Sequence, residues 1–425
     1  MESPPGPYAV LRNRDFVFYL TGRFIASFGQ QMLGVAVGWE IYERTASSLA
    51  LGLVGLTIYV PMVVMTLPAG HVADTRERKK VILAMQAALV LTSLGLAVVS
   101  WQKAPILWVY VCLFATGVAR AFLWAASASF LPQLVARKEF PLAMTWSSST
   151  FQCSAMAGPA VGGAMIAVTH SAVSVYVFNA VAAVLCVALI GLVGALPKLP
   201  PKERVSMETV LGGFRFVFNH RIILGAITLD LFAVLFGGAT ALLPVYSKDI
   251  LHAGPQGLGL LQAAMPIGSV LCAVLMAHRA PMEHSGRALI CAVVVFGLAT
   301  VGFGFSTSFW LSMLMLFVCG FADNISVIVR HTLVQLLTPD SMRGRVSSVN
   351  NLFITTSNEL GGFESGLVSQ YLGPVFSVVS GGVATILVVG AVAWIWPEIP
   401  RFGRLVQPEP DETAAGAASI PPVSR

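Results

Sequence analysis

Apolar residues run along this chain in long blocks, interrupted by short clusters of Arg, Lys, Pro and Gly. A helix rises about 1.5 Å per residue, so about 20 apolar residues cross the roughly 30 Å hydrocarbon core of a bilayer. Twelve blocks meet that length. Six fall at 16–42, 48–71, 80–101, 105–135, 140–168 and 172–196, and six at 221–248, 255–278, 287–306, 308–337, 346–371 and 374–396. The polar run from Pro197 to Arg204 separates the two sets. Met207 to His220 has another rhythm: Val210, Leu211, Phe214, Val217 and Phe218 recur at helical spacing among polar neighbours. That predicts an amphipathic helix lying on the membrane surface. From Gly403 the chain turns to Pro, Ala, Ser and acids, the composition of a disordered tail. The pattern predicts an all-α membrane protein of twelve transmembrane helices. A short N-terminal arm (1–15) precedes a six-helix bundle (16–196), a linker with the amphipathic helix (197–220), a second six-helix bundle (221–396) and a tail (397–425).

Composition agrees. The chain is 56% hydrophobic and 11% charged, where a soluble domain carries about a quarter charged residues. Its net charge of +6 suggests a nucleic-acid partner until the basic residues are mapped. Of the 26 Lys and Arg, twenty fall on the side holding both termini, and Arg44, Lys103 and Lys248 alone fall on the other. The positive-inside rule therefore predicts cytoplasmic termini in a cell inner membrane, with no nucleic-acid partner. The six cysteines lie singly in apolar blocks, which gives no metal or redox motif. No HExxH, GxSxG or phosphate-binding glycine loop occurs, so neither an enzyme nor a cofactor is expected.

The two sets of helices resemble each other. The glycine-rich openings at Ala50 and Gly257 are offset by 207 residues, and Gly158 and Gly361 by 203. Six-plus-six helices with a central linker predict a duplicated transporter plan with a site near the midplane. Charges inside the apolar blocks sharpen this: Arg23, Arg120, Asp230, Asp323, Arg330, Glu359 and Glu364. An Arg or Asp at a helix centre costs about 2.5–3.5 kcal/mol on insertion scales, so these residues must face a cavity, pair, or lie near an end. Arg23 and Asp230 share the 207 offset and Arg120 and Asp323 the 203 offset, with arginine in the first half and aspartate in the second. Asp323 and Arg330 lie two turns apart on one helical face, where a permanent bridge between them is the simpler alternative to a proton-carrying Asp323. Static pairing of Arg23 with Asp230 is the corresponding alternative at that pair.

The loop after the second block reads Gly70-His71-Val72-Ala73-Asp74-Thr75-Arg76-Glu77-Arg78-Lys79-Lys80. It resembles the signature loop of the major facilitator superfamily, with Thr75 where the family usually has arginine. Phe16 to Gly29, Thr338 to Arg345 and Ser357 to Gly366 extend the resemblance over nearly all of residues 10–400, to the branch that holds the bacterial enterobactin exporter and macrolide-efflux proteins. The resemblance implies two bundles related by a twofold axis along the membrane normal. Helices 1, 4, 7 and 10 would line a central cavity carrying Arg23, Arg120, Asp230, Asp323 and Arg330, with Glu359 on helix 11. It also implies a cytoplasmic latch built from Gly70, Asp74, Arg76, Arg78, Arg343 and Arg345, in which Gly70 allows close helix approach and Asp74 meets the start of helix 11 near Arg345. The expected activity is proton-coupled export of a siderophore-like or other amphiphilic small molecule by a monomer. Broad drug efflux is the alternative, and a non-transporting receptor or scaffold a more distant one. Arg120 is expected to hold the charged form of Asp323, with Glu359 the next acid to test.

Overall fold

The computed structural model describes residue 6 and residues 8–194, 207–278, 284–339 and 342–403. Every regular element among them is helical. The first half comprises α1 (Arg14–Thr45), α2 (Ser48–Val64), α3 (Thr66–Thr75), α4 (Arg78–Trp101), α5 (Ile106–Leu134), α6 (Phe140–Thr169) and α7 (Val173–Gly191). After α8 (Met207–Asn219), the second half comprises α9 (Arg221–Phe236), the single turn α10 (Leu243–Val245), α11 (Gly254–Ala277), α12 (Ser285–Phe305), α13 (Phe309–Leu337), α14 (Arg343–Leu372) and α15 (Pro374–Ile395). Nine stretches among the described residues are long and apolar enough to cross a membrane, with the chain from α9 to Ile250 taken as one, and the bent pair α2–α3 makes a tenth. The remaining two spans of the expected twelve correspond to α1 and α14, which have 32 and 30 residues but a more polar composition. Their polar groups are used inside the protein: Ser357, Ser365 and Ser369 of α14 are buried.

Local chemistry sets the helix boundaries. The Asn13 side chain accepts from the backbone N–H groups of Asp15 and Phe16 at 3.0 and 3.2 Å and so caps α1. Ser47 caps α2 in the same way through Ala50. The second span is broken at Met65, with a 50° bend between α2 and α3. Pro68 has no N–H for the carbonyl of Val64, and its ring crowds that carbonyl, which breaks the helix at this point. The seventh span is also discontinuous: after Gly237 it continues as a tight turn over Gly238–Leu242, then α10, then a wide π turn over Tyr246–Ile250. A side chain at Gly238 would run into the carbonyl of Gly361, so only glycine permits this approach to α14.

The halves meet at two crossings built from glycine, α2 on α14 and α6 on α11. A Cβ on Gly366 would lie 3.0 Å from the Cα of Gly52, and one on Gly163 would lie 3.0 Å from the Cα of Gly259. The carbonyls of Ser48 and Pro255 crowd the same two glycines. Gly52 and Gly259, like Ser48 and Pro255, differ by 207 residues, and Gly163 and Gly366 differ by 203. The crossings are thus one contact made twice, as twofold duplication requires.

Both crossings lie toward the end of the molecule away from the termini. There one apolar cluster runs through both halves, from Met32, Trp39 and Leu113 to Leu243, Leu258 and Phe303. Tyr42 hydrogen-bonds Asp249, and Lys248 lies 5.7 Å from the centre of the Tyr42 ring. Ser47 donates to Gln370 at 2.8 Å, and the Ser48 and Ser369 hydroxyls are 2.9 Å apart. At the end bearing the termini, the clusters among the described residues stay within one half: Phe16, Ile82 and Phe130 in the first, Ile223, Val334 and Val349 in the second. The bundles are closed together at the far end and separately packed at the terminal end.

The amphipathic helix α8 does not lie free on the membrane surface. Val217 is fully buried with Ile223, Val334, Val346 and Val349, and the Phe214 ring lies tilted against that of Phe353, centres 5.9 Å apart. Phe218 remains exposed. The apolar face finds a protein partner because α9 and α14 leave a groove at this end. The side chains of Val210 and Leu211 and the run from Pro197 to Arg204 lie outside the described residues, as does the tail from residue 404.

Candidate transport site

Arg120 is the midpoint of α5 and its side chain is exposed. Exposure at mid-span means either lipid or a cavity. Glu359 of α14 lies near enough across the seam to influence Arg120 electrostatically, with no ion pair between them among the described residues. Glu359 also packs on Gly55 of α2, where a Cβ would meet its carboxylate. One turn away, the Tyr59 hydroxyl of α2 hydrogen-bonds Thr356 of α14. α5 is drawn against α2 because Gly117 admits Ile58 and Pro61, which brings Arg120 to the seam. A cation, an anion and two hydroxyls from both halves therefore share the inter-half space near mid-depth.

The expected partnership of Arg120 with Asp323 is corrected. Asp323 is the midpoint of α13, but it lines a small internal cavity of the second bundle together with Asp230, Ser326 and Phe296. The extensive packing of α12 on α13 sets the direction in which it points. Neither static alternative holds, because Asp230 of α9 forms an ion pair with Arg330 of α13, their side chains only 7% and 1% exposed. Arg23 points elsewhere, with its guanidinium 5.8 Å from the centre of the Tyr19 ring and close enough to Cys186 of α7 to interact with it.

The latch is not engaged as expected. A Cβ on Gly70 would meet nothing within 4 Å. Asp74 has no hydrogen-bond or ion-pair partner among the described residues, and Arg345 of α14 packs against Gly213 of α8. The basic residues instead tie the first bundle together. Lys79 donates to the carbonyls of Gly191 and Val193 at the C-terminus of α7, a favourable place for a cation. Arg78 faces the amide of Gln133 on α5. Arg76 ends α3 in extended backbone and Arg343 begins α14. With the bundles parted at this end, no neighbour reaches Gly70.

Sequence reasoning missed several groups. Glu40 is buried, accepts from Tyr176 at 2.6 Å and pairs with Arg44 at 2.9 Å. The i,i+4 spacing of Glu40 and Arg44 was the available signal. Nothing in the local sequence marks Tyr59–Thr356 or Tyr42–Asp249, which unite residues hundreds of positions apart. Among the described residues no three His, Cys, Asp or Glu side chains gather as they would to hold a metal ion.

Two bundles of membrane helices, joined by twofold-related crossings around charged groups, define a transporter of the major facilitator type. Comparison supports this at the level of fold: the nucleoside transporter NupG superposes with a TM-score of 0.71 at 15% identity, over 90% of this chain and 99% of that one. The model of the transmembrane secretion effector family, a branch of this superfamily, matches residues 5–410, and the chain belongs to that family. Similar relatives include the enterobactin exporter EntS of Citrobacter koseri, 27% identical over 92% of this chain and 93% of that protein. EntS of Escherichia coli O6:K15:H31 is 25% identical over 93% and 94%. The chain is a multi-pass membrane transporter whose substrate is a small molecule.

Proposed function

We propose that this transporter exports a siderophore-like or similar amphiphilic molecule across the inner membrane, driven by proton entry, with both termini in the cytoplasm. The clustering of Lys and Arg at the end bearing the termini supports that orientation. The named activity of the two similar relatives supports the substrate class. The observation that carries the mechanism is the Arg120–Glu359 couple between the halves. An anionic substrate group entering the cavity competes with Glu359 for Arg120. Rocking of the halves separates the couple on one side of the cycle and restores it on the other. A carboxylate alternately paired with an arginine and left alone in a cavity alternately releases and takes up a proton. Glu359 thus fills the coupling role that the sequence suggested for Asp323.

The test uses the purified protein in inside-out vesicles, with an imposed proton gradient and labelled enterobactin, and a labelled macrolide in parallel. Glu359→Gln is expected to abolish uphill accumulation while preserving downhill exchange and substrate binding. Arg120→Gln is expected to weaken binding of the anionic substrate. Uphill accumulation by Glu359→Gln at the wild-type rate would remove Glu359 from coupling. Transport of the macrolide but not of enterobactin would overturn the substrate class.

A further inference from the structure

The cavity between α9, α12 and α13 has room for about one water-sized particle. Its walls are apolar apart from three oxygen-bearing side chains, Asp230, Asp323 and Ser326. Asp230 is neutralised by Arg330. Asp323 has no ion-pair or hydrogen-bond partner among the described residues. The cavity-lining residues of α12, including Ala292, Val293 and Phe296, bring no counter-charge. The Cys319 thiol, one turn before Asp323, is engaged with Thr300 and the carbonyl of Phe296, and His331 beyond Arg330 is turned outward. Two carboxylates and one guanidinium leave a single negative charge unmatched at this cavity.

Ser326 supplies an independent observation. It is only 4% exposed, lines the cavity, and its hydroxyl has no hydrogen-bond partner among the described residues. Helical Ser and Thr ordinarily bond back to the carbonyl four residues earlier, as Thr332 does to Ile328 on the same helix at 2.8 Å.

We infer that this cavity binds one monovalent metal cation of sodium size, held by the carboxylates of Asp323 and Asp230 and by Ser326 Oγ. Hard cations take oxygen ligands, and the charge count calls for a single positive charge rather than two. A proton on Asp323 would settle the charge but leave the Ser326 hydroxyl and the space beside it unused. The inference stands apart from proton coupling at Glu359 and concerns binding alone.

The test is binding of radioactive sodium to the purified full chain in lipid nanodiscs, at constant ionic strength set with choline. Saturable binding of one ion per chain is expected, insensitive to choline and weakly displaced by potassium. Asp323→Asn should abolish it and Ser326→Ala should weaken it by about tenfold or more. Size exclusion and melting in choline verify that both variants are folded, and sodium should raise the melting temperature of the wild type alone. Absence of sodium-specific binding and stabilisation in the wild type would overturn the site. Wild-type sodium affinity in folded Ser326→Ala and Asp323→Asn would do the same by placing the ion elsewhere. Proton-driven transport without sodium binding would refute this site and leave the transport reading standing. Sodium binding without transport of either labelled compound would do the reverse.

Discussion

The pair Asp230–Arg330 shows what a charge requires inside a membrane bundle. Both side chains are almost fully shielded, and each would be intolerable without the other. Removing one partner of a buried pair leaves an uncompensated charge and costs about 3–5 kcal/mol, whereas replacing both by apolar groups of similar volume is often neutral. Asp230→Leu and Arg330→Met are each expected to lower thermal stability strongly, and the double variant to recover most of the loss. Melting of the four proteins in one detergent measures the coupling; additive losses would show that the two side chains do not depend on each other. The existence of such charges was legible in the sequence, because an Asp or Arg amid twenty apolar residues is conspicuous. Their partners were not. Depth follows from counting residues along a helix, but the facing neighbour follows from rotation about the helix axis, which distant packing determines. Arg120 thus sits at the midpoint of α5, on the side of Glu359, while Asp323 lines a cavity of the second bundle.

Helix positions were readable wherever hydropathy alone decides them. The blocks at 80–101 and 374–396 correspond to Arg78–Trp101 and Pro374–Ile395 almost residue for residue. The breaks at Met65 and Gly237 were hidden because the surrounding sequence stays apolar through them. Pro68 marked the first break, and hydropathy masked it. The glycine signals noted for the repeat acquire a physical meaning at the α2–α14 and α6–α11 crossings. A Cβ on Gly366 would lie 2.7 Å from the carbonyl oxygen of Ser48, closer than real side chains come. Backbone lies on both sides of that contact, so no rotamer change relieves it. Gly366→Ala is expected to push α2 and α14 apart and expose the far end. A cysteine substituted for Ser47 should then react faster with a water-soluble maleimide than in the parent. Unchanged labelling would mean the crossing has slack that the geometry denies.

For the whole molecule, closure at one end and separate packing at the other describe one station of an alternating cycle. The disengaged loop around Asp74 fits that station, since a latch across the terminal end has no work while the bundles are parted there. The sequence could suggest the latch but not the state in which it closes. The far-end contacts offer a lever on the cycle. Ser48 and Ser369 face each other with hydroxyls 2.9 Å apart, near enough for a disulfide after Ser48→Cys and Ser369→Cys substitution. Oxidation of that double variant is expected to stop turnover while substrate still binds from the terminal side, and reductant to restore transport. Turnover that continues in the fully cross-linked protein would mean the far end need not open.

The Asp230–Arg330 pair also bears on how the chain is made. Asp230 is joined to the chain one hundred residues before Arg330. Synthesis runs at about 5–20 residues per second, so Asp230 waits about 5–20 s for its counter-charge. An aspartate at the centre of a membrane helix disfavours insertion by about 2.5–3.5 kcal/mol, and α9 has only 16 residues before its break. The seventh span is therefore a late entrant that commits to the bilayer when α13 arrives. Ribosome-stalled chains ending near residue 310 should leave α9 accessible to protease or alkaline extraction, and chains long enough for all of α13 to clear the ribosome should protect it.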